Sequence, residues 1–415
     1  MNIGTIITII DLLLWLIIAA NVAYVLFFAL ASLLPKKSLH HSPFTIHQSN
    51  YLILFPAYHE DTVILHSIES FLQQDYPKDS YHVVVISDHM SPETNEQLSQ
   101  LPITLLQPTF EQSSKAKALQ YAINNFHFSA RACSLSPSEA TERIFNSQFP
   151  DYVVILDADN IVQSDFLTRL NEIATPDQAI QCHRTAKNAD NDIAALDGIS
   201  EEINNSIFRK GHNRIGMSSA LIGSGMCFEY QWFAKNVNHL DSAVEDRELE
   251  ALLMKQGIHI HYADDIHVLD EKVSNSDTFQ RQRLRWMTGQ AQAFFRMLPY
   301  IPKAIITGNI NYIDKTTQQA LIPRSILLVL TPFLTLASLL AFYILHLPSY
   351  IIPLKWLILL ILLVAAILIA IPTPFRTRAL FGKLITLPRL VWRMLTNLIN
   401  INPRNKEFIH TTHRQ

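Results

Sequence analysis

Three stretches of this sequence are too apolar to be left in water. From Ile3 to Leu34 only Asp11, Asn21 and small hydroxyl residues interrupt the apolar side chains, a run longer than the ~20 residues a helix needs to cross a bilayer. Two further runs, roughly Ser325–His346 and Tyr350–Ile371, are separated only by Leu347-Pro348-Ser349, which allows nothing but a hairpin. A cleaved secretory leader is the rival reading of the first run, because Ala29-Leu30-Ala31 has the small residues of a cleavage site. No basic segment precedes it, however, and it is too long for a leader. Charged residues make up 17% of the 415, where about a quarter is usual for soluble proteins.

The basic residues around these runs orient them. Lys36 and Lys37 follow the first; Arg324 precedes the pair, and Arg376, Arg378 and Lys383 follow it. By the positive-inside rule the N-terminus faces outward and the body lies in the cytosol. The chain thus reads as an integral protein of the cytoplasmic (plasma) membrane. Asp11 falls near the outer interface, where Lys355 can also snorkel. Met287–Ile306 and Ala379–Ile401 mix apolar with basic residues, as helices lying in the interface do, and Pro388 would kink the second. The expected division is an anchor over 1–36, a cytosolic domain over 45–286, interfacial helices over 287–320, a spanning hairpin over 321–373 and a basic amphipathic tail over 374–415.

Several functions are excluded early. With 33 basic and 36 acidic residues the formal net charge is −3, so no basic excess suggests nucleic acid. Cys133, Cys182 and Cys227 are odd in number and widely spaced, which excludes a disulfide framework and suits a reducing compartment. Ten glycines occur, none between Gly4 and Gly198, so the first half has no P-loop or GxGxxG cradle. A nucleotide bound there would need carboxylates and a metal to hold its phosphates.

The cytosolic segment alternates β-rich apolar runs with helical patterns. Strands are expected at Tyr51–Phe55, His82–Ile86, Ile103–Leu106 and Tyr152–Leu156. Helices are expected around Val63–Leu72, with Ile64, Ile68 and Phe71 on one face, and over Lys115–Phe126, with Ala118, Leu119, Ala122 and Ile123 inward. Continuous apolar strands separated by helices predict an α/β fold with a parallel-rich sheet covered on both faces. Ligands in such sheets bind at the carboxyl ends of the strands.

Acids stand at those ends. Pro56-Ala57-Tyr58-His59-Glu60 follows the first strand, Ser87-Asp88 the second and Asp157-Ala158-Asp159 the fourth. In extended chain residues i and i+2 project to one side, so Asp157 and Asp159 can converge on a hard cation such as Mg²⁺ or Mn²⁺. Further on, Ser242-Ala243-Val244-Glu245-Asp246 opens a helix that ends at Gly257. Ser242 and Glu245 have the spacing of a capping box, which accounts for Glu245 but not Asp246; a carboxylate held at a helix mouth is also where a general base can sit. In Gln282-Arg283-Leu284-Arg285-Trp286, Gln282 shares a helical face with Arg285 and Trp286. An arginine can grip a diphosphate bidentately and a tryptophan ring offers a stacking face, though a basic amphipathic helix at the membrane surface would read alike.

Taken in order, Pro56–Glu60, Ser87-Asp88, Lys115-Ala116-Lys117-Ala118-Leu119, Asp157-Ala158-Asp159, Glu245-Asp246 and Gln282-x-x-Arg285-Trp286 resemble the signature of the family 2 inverting glycosyltransferases. More narrowly they resemble the membrane-integrated branch with the cellulose, chitin-oligosaccharide and hyaluronan synthases. The resemblance covers about Asn50 to Trp286, and Gln74-Asp75-Tyr76-Pro77 and Asp270-Glu271-Lys272 match family wording too. It implies a GT-A fold and an inverting hexosyltransferase that uses a nucleotide diphospho-sugar, usually UDP-linked, with Mg²⁺ or Mn²⁺. Glu60 and Asp88 would then hold the nucleoside, Pro56 and Tyr58 would also bind substrate, Lys115 and Asp157 would serve the nucleotide, and Asp159, with Asp157, the metal. Asp246, beside Glu245, would be the catalytic base. Gln282, Arg285 and Trp286 would line the diphosphate and acceptor end, and Gly225 of Gly223-Ser224-Gly225-Met226 the acceptor-side loop. His59 stands where the family has asparagine, and Ser113-Ser114 where it has glycine.

The acceptor expected on this resemblance is a growing β-linked saccharide. A single transfer to a lipid is the alternative, since lipid-glycosylating members share the Gln-x-x-Arg-Trp pattern and three spans are few for a polymer channel. A non-catalytic nucleotide-sugar-binding regulator would have no use for Asp246. A transporter needs a polar path that these spans lack, and nucleotidyl transfer does not call for Gln282–Trp286. Protein partners are not legible.

Overall fold

The computed structural model describes residues 3–36, 48–125, 149–188, 191–242, 244–272, 276–344 and 351–376. Lys37, Cys133, Arg378, Lys383 and the basic stretch 379–401 lie outside them.

The first spanning run is helix α1 (Ile3–Ala31). Strand β1 (Tyr51–Tyr58), helix α2 (Ile64–Phe71), β2 (Tyr81–Asp88), α3 (Pro92–Ser99), β3 (Thr104–Leu106), α4 (Lys115–Asn125) and β4 (Tyr152–Ile155) follow; all but the polar helix α3 are expected from the apolar pattern. Next come β5 (Ile161–Val162), α5 (Phe166–Ile173), β6 (Gln178–Ala186) and α6 (Asp192–Asn204), which runs into a π-helix at Asn205–Gly211. The domain continues through β7 (Met226–Glu229), α7 (Tyr230–Asn236), α8 (Glu245–Lys255) and β8 (His259–Asp270). Helices α9 (Ser276–Met297), α10 (Ile301–Ile306), α11 (Ile310–Ala320), α12 (Arg324–Ile344) and α13 (Ile351–Ala370) complete the described chain. The stretch expected to lie in the interface from Met287 is the second half of α9 followed by α10, and it leaves Phe295, Ile305 and Ile306 exposed.

Among the described residues the strands form one sheet in the order β3-β2-β1-β4-β7-β6-β8-β5. It is mixed rather than wholly parallel: β7 runs antiparallel to β4 and β6, and β5 antiparallel to β8. The other strands share one direction, β1 with β2 and β4, β2 with β3, and β6 with β8. The carboxyl ends of β1, β2, β4, β6 and β8 therefore lie along one edge. Parallel register sets Tyr58 beside Asp88 and Ala186 beside Asp270.

Alternation along β1 serves both faces. Tyr51, Ile53 and Phe55 pack with Ile64, Ile68 and Phe71 of α2 and Phe166 and Leu170 of α5. Leu52 and Leu54 pack on the other face with Leu119 of α4 and Leu249 and Leu253 of α8. Each such buried side chain contributes roughly 1.5–3 kcal/mol, so the edge bearing the polar tips is carried on two close-packed layers.

Three helices are long and apolar enough to cross a membrane, over Thr8–Ala31, Arg324–Ile344 and Pro353–Ala370. They meet through Ile18, Val22, Leu327, Trp356 and Leu363. Lys355 does not simply snorkel: its ammonium pairs with Asp11, whose other oxygen accepts from Trp356 Nε1 at 2.8 Å. The α/β body is fixed to α1 through the π-helix. A Cβ on Gly211 would stand 2.3 Å from the Phe28 carbonyl oxygen, so only glycine allows that approach. The Phe28 ring stacks on His212 at 3.5 Å between centroids, and Tyr24 donates to Asp314 Oδ1 at 2.6 Å.

Candidate active site

The strand edge opens into a cavity of about 310 Å³. Pro56, Tyr58, Glu60 and Asp88 line it from β1 and β2, Lys115 from the start of α4, and Asp157 and Asp159 from beyond β4. Glu245 and Asp246 reach it from the mouth of α8, and Gln282, Arg285 and Trp286 from α9. Of the residues singled out in the sequence only Gly225 stands apart. Its φ is +64°, and its missing side chain faces Val268 and Cys182 inside the sheet, where a Cβ would come within 2.9 Å of Val268. Gly223 holds the place at the cavity wall instead. Its φ is +87°, and a Cβ on it would stand 3.8 Å from Asp246 Oδ2 and 3.9 Å from Glu245 Oε1.

Two motif departures fit their positions. His59 has φ at +54°, in the left-handed region where asparagine and histidine are both enriched among non-glycine residues, so the backbone turn survives the exchange. His89 sits equivalently after β2, at φ +56°, and its Nδ1 meets Asp88 Oδ1 at 2.6 Å. Tyr58 makes edge contacts with both imidazoles. Ser114 needs no glycine conformation: its hydroxyl accepts from Lys117 N at 3.2 Å and its carbonyl from Ala118 N at 3.0 Å, capping α4 as serine does.

The expected geometry of Asp157 and Asp159 is not found. The backbone turns back at this point, with Asn160 N donating to Asp157 O at 3.1 Å, so the two residues stand in a turn and not in extended chain, and their carboxylates, both at the cavity, take different protein partners. Asp157 is drawn to the Lys115 ammonium. Asp159 accepts from Glu271 N at 2.7 Å and Asn160 Nδ2 at 3.1 Å. Among the described residues no three His, Cys, Asp or Glu side chains are grouped to chelate an ion.

The capping box also does not form. Helix α8 begins at Glu245 with Val244 as its N-cap, and Ser242 lies two residues too early to cap. Its hydroxyl accepts from Val244 N at 3.3 Å, while Glu248 reaches back to the amides of Asp241 and Ser242 at 2.9 and 3.1 Å. Glu245 is thereby released toward the cavity, where its Oε1 lies 3.7 Å from Lys115 Nζ. Burial pushes its pKa up to about 7, against the attraction of Lys115 and with the help of the neighbouring Asp246 charge. Burial alone would lower the Lys115 pKa, but Asp157 and Glu245 outweigh it and hold the ammonium above the ordinary lysine value. Its third contact is the Gly223 carbonyl at 2.6 Å. Burial likewise pushes the Arg285 guanidinium down, opposed by Glu245, Asp157 and Asp246.

Sequence reasoning missed a second tier of charges. Arg184 on β6 donates to Glu201 at 2.6 Å and stands 3.9 Å from both Asp157 and Asp270. Lys272 binds Glu201 and, at 2.7 Å, Asp270. Arg283 pairs with Asp197 and lays its guanidinium 4.7 Å from the centre of the Trp286 ring, taking one of the faces expected to be open for stacking. The phrase Asp270-Glu271-Lys272 was the one available signal; Arg184 and Glu201 sit in no motif and meet only through the fold.

This cavity can be set beside known proteins. The family model described as "Glycosyltransferase like family 2" matches residues 47–289, more than half of the chain. The chain belongs to that family. As a family 2 glycosyltransferase it has a GT-A-like fold, shared with the mannosyltransferase PcManGT from Pyrobaculum calidifontis, solved in complex with GDP-Man and Mn²⁺. The two are 16% identical with a TM-score of 0.53, over 93% of this chain and 99% of that one. S. aureus TarS 1-349 is similar at 13% identity and TM-score 0.36 over 85% and 90% of the two chains. Glucosyl-3-phosphoglycerate synthase from Mycobacterium tuberculosis, in complex with Mn²⁺, UDP-Glc and phosphoglyceric acid, reaches 13% and 0.40 over 63% and 88%. No curated protein matches the chain.

Proposed function

We propose that this glycosyltransferase is a membrane-bound inverting enzyme. It moves a sugar from a nucleotide diphospho-sugar, UDP-linked in the first instance, to a hydroxyl of a saccharide or lipid acceptor. The observation that carries this reading is the meeting of Glu245 and Asp246 with Asp157, Arg285 and Trp286 around one cavity. A binding module has no need of a carboxylate pair at the acceptor end.

In this reading the nucleoside lies along Tyr58, Glu60 and Asp88, with its diphosphate toward Asp157, Asp159 and Arg285. The acceptor oxygen attacks the anomeric carbon from the face opposite the diphosphate. A carbon–oxygen bond forms there as the bond to the leaving phosphate oxygen breaks, and an α-linked donor gives a β-linked product. The acceptor proton passes to Asp246, whose Oδ1 accepts from Arg247 N at 2.9 Å. Arg285 meets the charge released on the diphosphate, as preorganised cations do for a departing phosphate. Glu245, held by Lys115, stands beside the base.

The donor set suits a divalent cation. Ten carboxylates and seven cationic side chains line the cavity, and a diphosphate would add to the negative excess. Mg²⁺ or Mn²⁺ bound through Asp159 and Asp157 would offset that charge with the oxygen ligands such ions prefer. The Mn²⁺ and GDP-Man of PcManGT support a metal and bring GDP-sugars into the donor range. The same positive-inside argument that orients the spans keeps this cavity in the cytosol, and the division at residues 36, 286, 320 and 373 belongs to the same proposal. Purified protein incubated with UDP- and GDP-sugars and Mg²⁺ or Mn²⁺ tests the whole reading. Release of nucleotide together with a β-linked product supports it; no release with any donor defeats it.

A further inference from the structure

The active-site cavity continues beyond Trp286. A second cavity of about 680 Å³ shares Trp286, Arg283, Asp197 and Arg209 with it and runs down between the spans. Its far wall is aliphatic: Val25 of α1, Ile203 of α6, Leu328 of α12, and Val364 and Leu368 of α13. A hydroxyl-rich saccharide laid along such a wall would leave its polar groups unpaired, which is costly. An alkyl chain would not.

Positive charge is in excess in the polar lining of the same cavity: Arg209, Arg247, Arg283 and Arg324 stand against Asp197, which Arg283 pairs, and Glu250. The partners of Arg324 are neutral, the Ser200 carbonyl at 2.9 Å and Asn204 Oδ1 at 2.6 Å. Arg209 is only 5% exposed, donates to Asn205 Oδ1 at 3.0 Å, and leaves its Nε without a hydrogen-bond partner among the described residues. It is presented by the π-helix, a form that tends to occur at functional positions. Guanidinium groups massed beside hydrocarbon call for an anion, and phosphate is the group their fork geometry fits.

We propose that the acceptor is a long-chain membrane lipid, its phosphate-bearing head group among Arg209, Arg283 and Arg324 and its chain between α12 and α13. This rests on the glycosyltransferase reading and names its acceptor. A head-group hydroxyl then reaches the cavity end where Asp246 lies. Its oxygen bonds to the anomeric carbon, the bond to the nucleotide diphosphate breaks with the electron pair leaving on phosphate, and the hydroxyl proton goes to Asp246. The second cavity is the route by which such a lipid enters sideways from the bilayer, and Trp286 with Arg283 marks the point where chain ends and head group begins.

The test uses full-length protein in nanodiscs and two photoreactive probes with the same diazirine acyl chain: a phosphatidylglycerol and a diacylglycerol. The phosphatidylglycerol should label α12 and α13 around Leu328 and Val364, with a preference over the neutral probe of about tenfold, the factor one charge-assisted hydrogen bond supplies. Arg324→Gln should abolish most of that preference, and Leu328→Trp, which fills the cavity, should reduce labelling by both probes. Melting temperatures show that the variants fold, and competition by unlabelled phosphatidylglycerol on the unaltered protein needs no variant. Labelling spread evenly over the lipid-facing spans, or equal for both probes, overturns the inference. Nucleotide release with a soluble saccharide acceptor and no localised labelling removes the lipid acceptor alone. Localised labelling without release from any donor keeps the lipid site and removes the transfer reaction.

Discussion

Lys115 Nζ lies 3.7 Å from the Glu245 carboxylate while the same ammonium holds Asp157, so one buried cation ties the mouth of α8 to the tip of β4. The tie has a pH signature. Glu245 is an acid whose pKa is higher in the folded protein, at about 7, than its ordinary 4.5. It binds its proton more tightly when folded, so its favourable contribution is complete below the ordinary value and is lost as pH rises from about 4.5 through 7. Melting temperature should therefore fall between pH 5 and pH 8, and fall less in Glu245→Gln. Equal slopes for the two proteins would remove Glu245 as the titrating group.

Asp246→Asn should retain donor affinity and lose transfer by about 10²–10⁴-fold, the range for a general base. Parallel measurement of nucleotide-sugar binding by calorimetry and of turnover separates the two effects. Near-normal turnover assigns the proton to another group.

Activity should disappear in excess EDTA and return with added Mg²⁺ or Mn²⁺. Asp159→Asn should raise the metal concentration needed for half-maximal turnover, because a ligand is lost. Turnover that persists after chelation contradicts the role given to Asp159.

The two glycines of the β6–β7 approach should respond differently. Gly225→Ala places a methyl 2.9 Å from Val268 and 3.3 Å from Cys182 at a positive φ, an overpacking expected to destabilise by roughly 1–3 kcal/mol. Gly223→Ala shares the strain of a positive φ but meets Asp246 and Glu245 at ordinary contact distances, so it should lower melting temperature less than Gly225→Ala and turnover more. Thermal unfolding and nucleotide release on the same preparations compare them.

How far the sequence foretold this molecule depends on the range of each interaction. Tyr51–Phe55 and His82–Ile86 announced themselves because an apolar run buried on both faces is a local pattern. Asp88 and Asp157 could be found because each stands at the end of such a run, and Asp246 because it opens a helix. β7, only Met226–Glu229, carries no period of its own, and its antiparallel pairing with β4 and β6 is a long-range contact with no local pattern. Arg184 and Glu201, 17 residues apart in the chain, become partners only once β6 and α6 fold together. Asp157 and Asp159 misled for a related reason: the i, i+2 argument assumes extended chain, and the Asn160 amide turns it. Ser242 and Glu245 had capping-box spacing, but Val244 took the cap and left Glu245 to Lys115.

The union of Asp11 with Lys355 and Trp356 bears on how the protein is made. An acid left alone at membrane depth is costly, by about 2.5–3.5 kcal/mol on insertion scales at a helix centre. Its partners lie 344 and 345 residues later in the chain. On the proposed membrane placement, α1 enters the bilayer during synthesis long before its counter-ion exists. On that placement the whole α/β body is translated while that helix waits, and arrival of α13 closes the pairing of Asp11.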